Sequence, residues 1–409
     1  MFTCIGTEMR AILRAGIGAA MLLAMCCTQS YGGQNENGDR RVQVAAYYFP
    51  NWHMETEPLM KHGEMPALKK NEGEWEALKN AKPRFPGQPQ PVAPLWGYQD
   101  EADPAVMAQK IDAAADHGVD VFLFDWYWRS GSEGKGPMLE RALNEGYLKA
   151  PNRARVKFAL MWANQDLGPE SPGAIGRGVF DSFLDHIVKD YFTSDSYWMV
   201  DGRCYFSIYQ LRTFIDGMGG VEQAKQALDA LRAKTVTAGR KGIYLNVMDW
   251  ELPANPKEVL KTLGVDSVTS YVWVHKIDLK DFPKTDYTWA ANAYFNQWDA
   301  HKDAYGVPYF PNATKGWDPT PRVPASEPYD GKKYPNTPVL WDNSPARFKA
   351  ALEQARQRAA QLPAGQRVVT IYAWNEWTEG GYLEPDTRHK FSSLEAIKSV
   401  FGVAKRRRP

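Results

Sequence analysis

Glu376 and Glu379 are the residues of this chain whose type and spacing best suit a chemical task. Two acids three positions apart are ordinarily a solvated face. Here they stand among Trp374, Trp377 and Tyr382, directly after Arg367 to Ala373, a run that reads as a strand too apolar to be exposed. Burial among aromatic rings raises a carboxyl pKa, and a like charge nearby raises one member of the pair further. One acid then keeps its proton near neutral pH while its neighbour stays ionised. Cleavage of a glycosidic bond uses that division, an acid for the departing oxygen and a carboxylate for the other role.

Other residues able to hold a sugar fall at the ends of apolar runs. They are Tyr47, Tyr48 and Trp52; Asp125, Trp126 and Trp128; Trp162 and Asn164; Trp273; Trp317; and Trp374 with Asn375. Aromatic rings stack on the C–H faces of pyranoses, and the polar members can bind hydroxyls. Any one Trp is as readily core packing, because it buries much area. The gathering of so many at corresponding places is what points to a carbohydrate site. Asp125 and Asp166 could replace one of the two Glu, or cap a helix. His53 and His275 suit hydroxyl binding or ordinary packing, and Glu384 and Asp386 read as loop-surface acids. No His-Glu-x-x-His and no clustered His/Cys spacing occurs, so no metal ligand set is expected. No Gly-x-Ser-x-Gly elbow is present, and no cofactor is implied.

These residues need a scaffold that brings strand ends together. Eight strand candidates run along the chain at 42–49, 119–124, 156–162, 203–209, 242–247, 266–272, 307–311 and 367–373. Helical stretches alternate with them at 103–118, 137–149, 178–191, 221–238, 256–263, 288–305 and 345–362. Asp103-Pro104 opens the first of these helices, with Asp103 as cap and Pro in the first turn. Alternation over this length predicts an α/β fold, a single (β/α)8 TIM barrel spanning 42–402, with its site at the C-terminal strand ends. No Gly-rich phosphate loop follows the first strand, which argues against a dinucleotide fold. Two long insertions, Pro50 to Asp100 and Trp317 to Asp342, are expected to shape the mouth of the site.

Composition narrows the setting. Lys and Arg number 49 against 48 Asp and Glu, so no basic excess points to a nucleic-acid partner. The basic end, 403–409, reads as a solvated tail. Arg10 and Arg14 precede a short apolar run, Ala15 to Met25, followed by polar residues, which predicts a signal peptide over 1–30 and a flexible leader over 31–41. The chain is therefore expected to be exported, periplasmic or secreted. Leu23-Ala24-Met25-Cys26 resembles a lipobox with Met in an awkward place, making a lipid anchor at Cys26 the alternative to ordinary cleavage. No later apolar run is long enough to span a membrane. Only Cys204 is clearly in the mature chain, so no internal disulfide framework is expected. Nothing in the sequence speaks to oligomeric state.

Four segments, Ala46 to Pro50, Phe158 to Asn164, Trp341 to Arg347 and Ala373 to Asp386, resemble the glycoside hydrolase family 99-like, or WbsX-like, proteins. The resemblance covers about 42–390. Family 99 enzymes are retaining, metal-independent endo-α-mannosidases and endo-α-mannanases on a (β/α)8 barrel. The resemblance implies that Glu376 is the base that deprotonates the sugar 2-hydroxyl, which attacks the anomeric carbon. It implies that Glu379 protonates the leaving oxygen and then activates water. A two-step route through a Glu nucleophile is the alternative. Trp377-Thr378 stands where family 99 has Trp-His, and Gly381 where it usually has Thr, so the carboxylates match while their surroundings differ. Two other functions compete. One is glycosyl transfer, disfavoured by export because sugar nucleotides are cytoplasmic. The other is carbohydrate binding without catalysis, which would not require the two Glu.

Overall fold

The computed structural model describes residues 41–53, 73–130, 136–166, 172–324 and 326–403. The expected signal peptide, the leader up to residue 40, the anchor at Cys26, the tail from 404 and the insertion over 54–72 lie outside these residues.

Nine parallel strand segments form a nearly closed barrel: β1 Gln43–Tyr48, β2 Val121–Arg129, β3 Lys157–Trp162, β4 Arg203–Ile208, β5 Ile243–Met248, β6 Ser267–Thr269, β7 Tyr309–Phe310, β8 Asn312–Thr314 and β9 Val368–Tyr372. They correspond to the eight expected strands, because the seventh, expected at 307–311, holds β7 and continues past its expected end into β8. Proline has no N–H for the ladder, and Pro311 divides that strand where it changes neighbour. Its first half pairs with β6 (Tyr309 beside Val268) and its second with β9 (Asn312 beside Thr370), which carries the sheet round to β1.

The helices are α1 Glu74–Asn80, which packs on the 3-10 turns Thr320–Arg322 and Trp377–Glu379, and, covering the outside, α2 Pro104–Asp116, α3 Arg177–Ile187, α4 Leu211–Met218, α5 Val221–Thr237, α6 Pro256–Leu263, α7 Tyr287–His301, α8 Pro345–Ala359 and α9 Ser392–Phe401. Asp103 caps α2 as expected, accepting from the Ala105 amide at 2.7 Å. One expectation needs correction, and one helix was not expected. The stretch 137–149 is not a regular helix; it holds a short strand, Gly136–Met138, antiparallel to β2, then a π-helix, Ala142–Tyr147. The helix expected at 221–238 is preceded by α4, whose Leu211, Phe214, Ile215 and Met218 make a buried stripe at helical spacing. No described helix is long and apolar enough to cross a membrane.

Inside the barrel, short polar side chains satisfy one another. Ser207 donates to Asn246 at 2.8 Å, Asn246 donates to Ser267 at 2.8 Å, and Asn312 donates to Thr370 at 3.1 Å. Buried polar groups are stable only when paired in this way, and the pairing fixes the floor on which the site rests.

Candidate active site

Immediately after β9 the chain makes a small hairpin. Asn375–Glu376 pairs antiparallel with Gly381–Tyr382 around a 3-10 turn, Trp377–Glu379. Both Glu therefore sit on one tight unit at the C-terminal rim. They line a cleft of about 540 Å³ together with Asp125, Tyr127, Tyr271, Trp317, Arg322 and Tyr334, among others.

The hairpin is held from behind by a buried ion network. Lys110 of α2 reaches Glu101 at 3.3 Å and Glu384 at 2.7 Å. Glu384 accepts from the indoles of Trp374 and Trp377 at 3.0 and 2.7 Å. Glu101 accepts from the Tyr48 hydroxyl at 2.7 Å and the Trp52 amide at 2.8 Å. Asn375 accepts from the Phe49 amide at 2.8 Å and donates to the Phe49 carbonyl at 2.9 Å, tying the end of β1 to the hairpin. Tyr48, Trp52, Trp374 and Asn375 thus form the frame of the site and do not line the cleft. Glu384 and Asp386, expected on the surface, are buried. Asp386 accepts from the Tyr382 hydroxyl at 3.0 Å and the Arg388 amide at 2.8 Å.

Four further aromatic candidates also stand behind the wall. Successive side chains of a strand point to opposite faces. On β2, Asp125 and Tyr127 face the cleft, whereas Trp126 and Trp128 face α3, with ring centroids 4.9 and 5.7 Å from Phe183. Trp162 packs on Phe183 and Phe214, while its neighbours Met161 and Ala163 line the cleft. Trp273 lies against Tyr287 and Tyr294 of α7, its indole donating to the Asn312 carbonyl at 3.0 Å. Asn164 exchanges hydrogen bonds with the Gln210 backbone at 2.9 and 2.7 Å, and Tyr47 sits beneath the cleft with its ring 4.7 Å from Tyr271. Of the expected binding residues, Asp125 and Trp317 are the two that line the cleft with the two Glu.

Sequence reasoning missed Arg322 and the tyrosines. Arg322 comes from the insertion after Trp317 and binds both acids, Glu379 Oε1 at 2.5 Å and Glu376 Oε2 at 3.3 Å. Its Nε donates to Thr378 at 3.0 Å, and Thr378 donates on to the buried Glu74 at 2.8 Å. Thr378, one of the two departures from the family 99 motif, thus links the arginine to a third carboxyl. Tyr334 donates to Glu379 Oε1 at 2.8 Å, and the Tyr372 hydroxyl contacts Glu379 Oε2. Gly381, the other departure, makes room for that contact, because a Cβ there would lie 2.2 Å from the Tyr372 ring. Tyr271 bridges Asp125 and Glu376 at 2.7 and 3.2 Å.

Burial shifts several of these groups. Burial, then the Glu379 charge, pushes Glu376 well above the ordinary glutamate range against the pull of Arg322. Burial likewise pushes Asp125 well up, although its bond from Tyr271 works the other way. Tyr271 keeps its proton, since burial and the neighbouring Asp125 raise it well above the usual tyrosine value. His275 also lines the cleft, but burial and Lys276 hold it near 3, so it stays a neutral imidazole at physiological pH. His53 is buried beside Glu101, away from the cleft. Among the described residues no group of three His, Cys, Asp or Glu is arranged to hold a metal.

Known proteins resemble this chain at three levels. Solved structures share its fold: the family 99 endo-alpha-mannosidase from Bacteroides thetaiotaomicron has TM-score 0.53 and 14% identity, covering 89% of this chain and 96% of its own. A structure described as a glycoside hydrolase-like protein has TM-score 0.57 and 15% identity, covering 89% and 95%. A curated relative, the uncharacterized protein WxcX of Xanthomonas campestris pv. campestris strain B100, is 25% identical over 378 residues. That match covers 87% of this chain and 49% of WxcX, so the chain spans about half the length of that relative. Residues 44–397 match the family described as "Glycosyltransferase WbsX", and the chain belongs to that family.

Proposed function

We propose that this chain is an exported glycoside hydrolase acting with retention on a polysaccharide or oligosaccharide, α-mannoside-like substrates included. The observation that carries the reading is that Glu376 and Glu379 share one cleft and one arginine yet meet unlike partners. Arg322 and Tyr334 both donate to Oε1 of Glu379, and the Tyr372 hydroxyl donates to Oε2. By its match to the family 99 motif, Glu379 is the acid that protonates the leaving oxygen and later activates water. Glu376 is the base toward the sugar 2-hydroxyl, with Arg322 at 3.3 Å favouring its ionised form against the effect of burial. Trp317 offers a ring on the cleft wall against which a pyranose can stack.

Reducing-sugar release from a panel of mannans and other bacterial, plant and algal polysaccharides tests this. Wild type and Glu379→Gln are run side by side. Release by wild type alone establishes hydrolysis and names the substrate class. Release that is equal in both, or absent throughout, overturns the reading. The family's description favours glycosyl transfer as the second reading. Consumption of a sugar nucleotide with growth of an acceptor glycan, in place of release, would establish that one.

A further inference from the structure

Glu376 can act as a base only when ionised, and its surroundings oppose this. It is buried, it neighbours Glu379 and Asp125, and Arg322 is already engaged with Glu379. The way out lies in the Tyr271 hydroxyl, which stands 2.7 Å from Asp125 Oδ2 and 3.2 Å from Glu376 Oε1. A hydroxyl has one proton to donate. When the pair holds one proton between them, the hydroxyl donates to one carboxyl and accepts from the other, and both contacts are then full hydrogen bonds.

Two features say which residue holds it. Oδ1 of Asp125 is buried with no hydrogen-bond partner. An unpaired carboxylate oxygen is far costlier to bury than the carbonyl oxygen of a neutral acid. Glu376, in contrast, has the guanidinium of Arg322 at 3.3 Å to stabilise a negative charge. Resting on the hydrolase reading above, we propose that Asp125 stores the proton that would otherwise sit on Glu376, donating it to the Tyr271 oxygen while Tyr271 donates to Glu376. Asp125 is then a positioning residue that keeps the base ionised. The other charged or titratable groups facing the pair are Arg322, Glu379, Glu74 and Tyr372, with Tyr127, Tyr209 and Tyr47 beside Asp125.

The test needs no substrate, so it is readable even if the hydrolase reading fails. Infrared difference spectra of the full chain report the carbonyl stretch of buried protonated carboxyls. Asp125→Asn imitates the protonated acid, its amide donating to Tyr271, and leaves Glu376 ionised. Glu376→Gln imitates the opposite arrangement and lets Asp125 ionise. The expected result is that wild type minus Asp125→Asn and wild type minus Glu376→Gln both show the loss of the same single band, and that ¹³C labelling of aspartate carboxyls, not of glutamate carboxyls, shifts that band. Tyr271→Phe, which cuts the link without changing either acid, is expected to shift that band. Loss of two different bands, or no band lost in either variant, would overturn the proposal.

Discussion

Burial sets the charge of nearly every group that matters here, and the effects are measurable one residue at a time. Glu379→Gln removes the proposed general acid, so turnover of unactivated glycosides should fall by about 10²- to 10⁴-fold. Aryl glycosides with good leaving groups should lose far less. Glu376→Gln should lose turnover of both, because no leaving group replaces the base. Steady-state rates on the two substrate types check this, and normal rates from either variant would sink the assignment. Lys315, directly after β8, gives a second residue-scale prediction. Desolvation pulls it down to about 8, against the attraction of Asp386, and its ammonium donates to the Asn343 carbonyl at 3.2 Å. A depressed folded pKa means that the unfolded chain binds the extra proton between about pH 8 and 10.5. Stability is thus lost as pH falls through that window and regained as pH rises. Relative to Lys315→Met, wild type should gain up to about 3 kcal/mol between pH 8 and 10.5, read from denaturant unfolding across pH. The two Glu were legible because aromatic neighbours and a preceding apolar strand mark them out. Arg322 and Tyr334 were not, because they lie in a Pro-rich loop with no periodicity and meet Glu379 only through tertiary folding.

At the scale of elements, the barrel was legible because apolar runs alternate with amphipathic stretches, and the alternation survives errors at every edge. The phase of each strand was not. Strands of a parallel barrel are buried on both faces, so they read as near-continuous apolar runs. In β2 the sequence Phe122-Leu123-Phe124-Asp125-Trp126-Tyr127-Trp128 gives no sign of which side meets the cleft. The large indoles turn out to face the helices, and the smaller alternate residues face the cleft. Two adjacent substitutions should therefore behave oppositely. Trp126→Phe removes area packed on α3 and the indole bond to Glu140 at 2.8 Å. It should lower stability by about 1–3 kcal/mol with turnover kept. Tyr127→Phe, in the cleft, should raise KM by up to about tenfold, the worth of one hydrogen bond, with the unfolding midpoint nearly unchanged. Equal effects of the two on stability would mean that the strand phase is wrong. Gly381→Ala tests the hairpin in the same way. Its Cβ would meet the Tyr372 ring, so turnover should fall through loss of the Tyr372 contact with Glu379.

Across the whole molecule, the family's description speaks of transfer while the function proposed above is hydrolysis, and the same two carboxyls could serve either reaction. What separates the two is the ligand the folded chain holds before chemistry begins. A glycan that binds only the native state stabilises it by RT ln(1 + [L]/Kd), about 2.7 kcal/mol at a hundredfold excess over Kd. With an unfolding entropy of about 2.1 cal/mol/K per residue, a barrel of this length has an entropy near 0.8 kcal/mol/K, so the midpoint should rise by about 3–4 °C. The Glu379→Gln variant is the protein to use, because it keeps the cleft and does not consume its ligand. A rise with a polysaccharide fragment and none with sugar nucleotides is the outcome expected of a hydrolase. The reverse pattern is the outcome expected of a transferase, whose donor must bind first or together with the acceptor. A rise that persists in a variant carrying Trp317→Ala as well would place the sugar elsewhere, because Trp317 is the one indole of those expected from the sequence that the barrel turns toward its mouth.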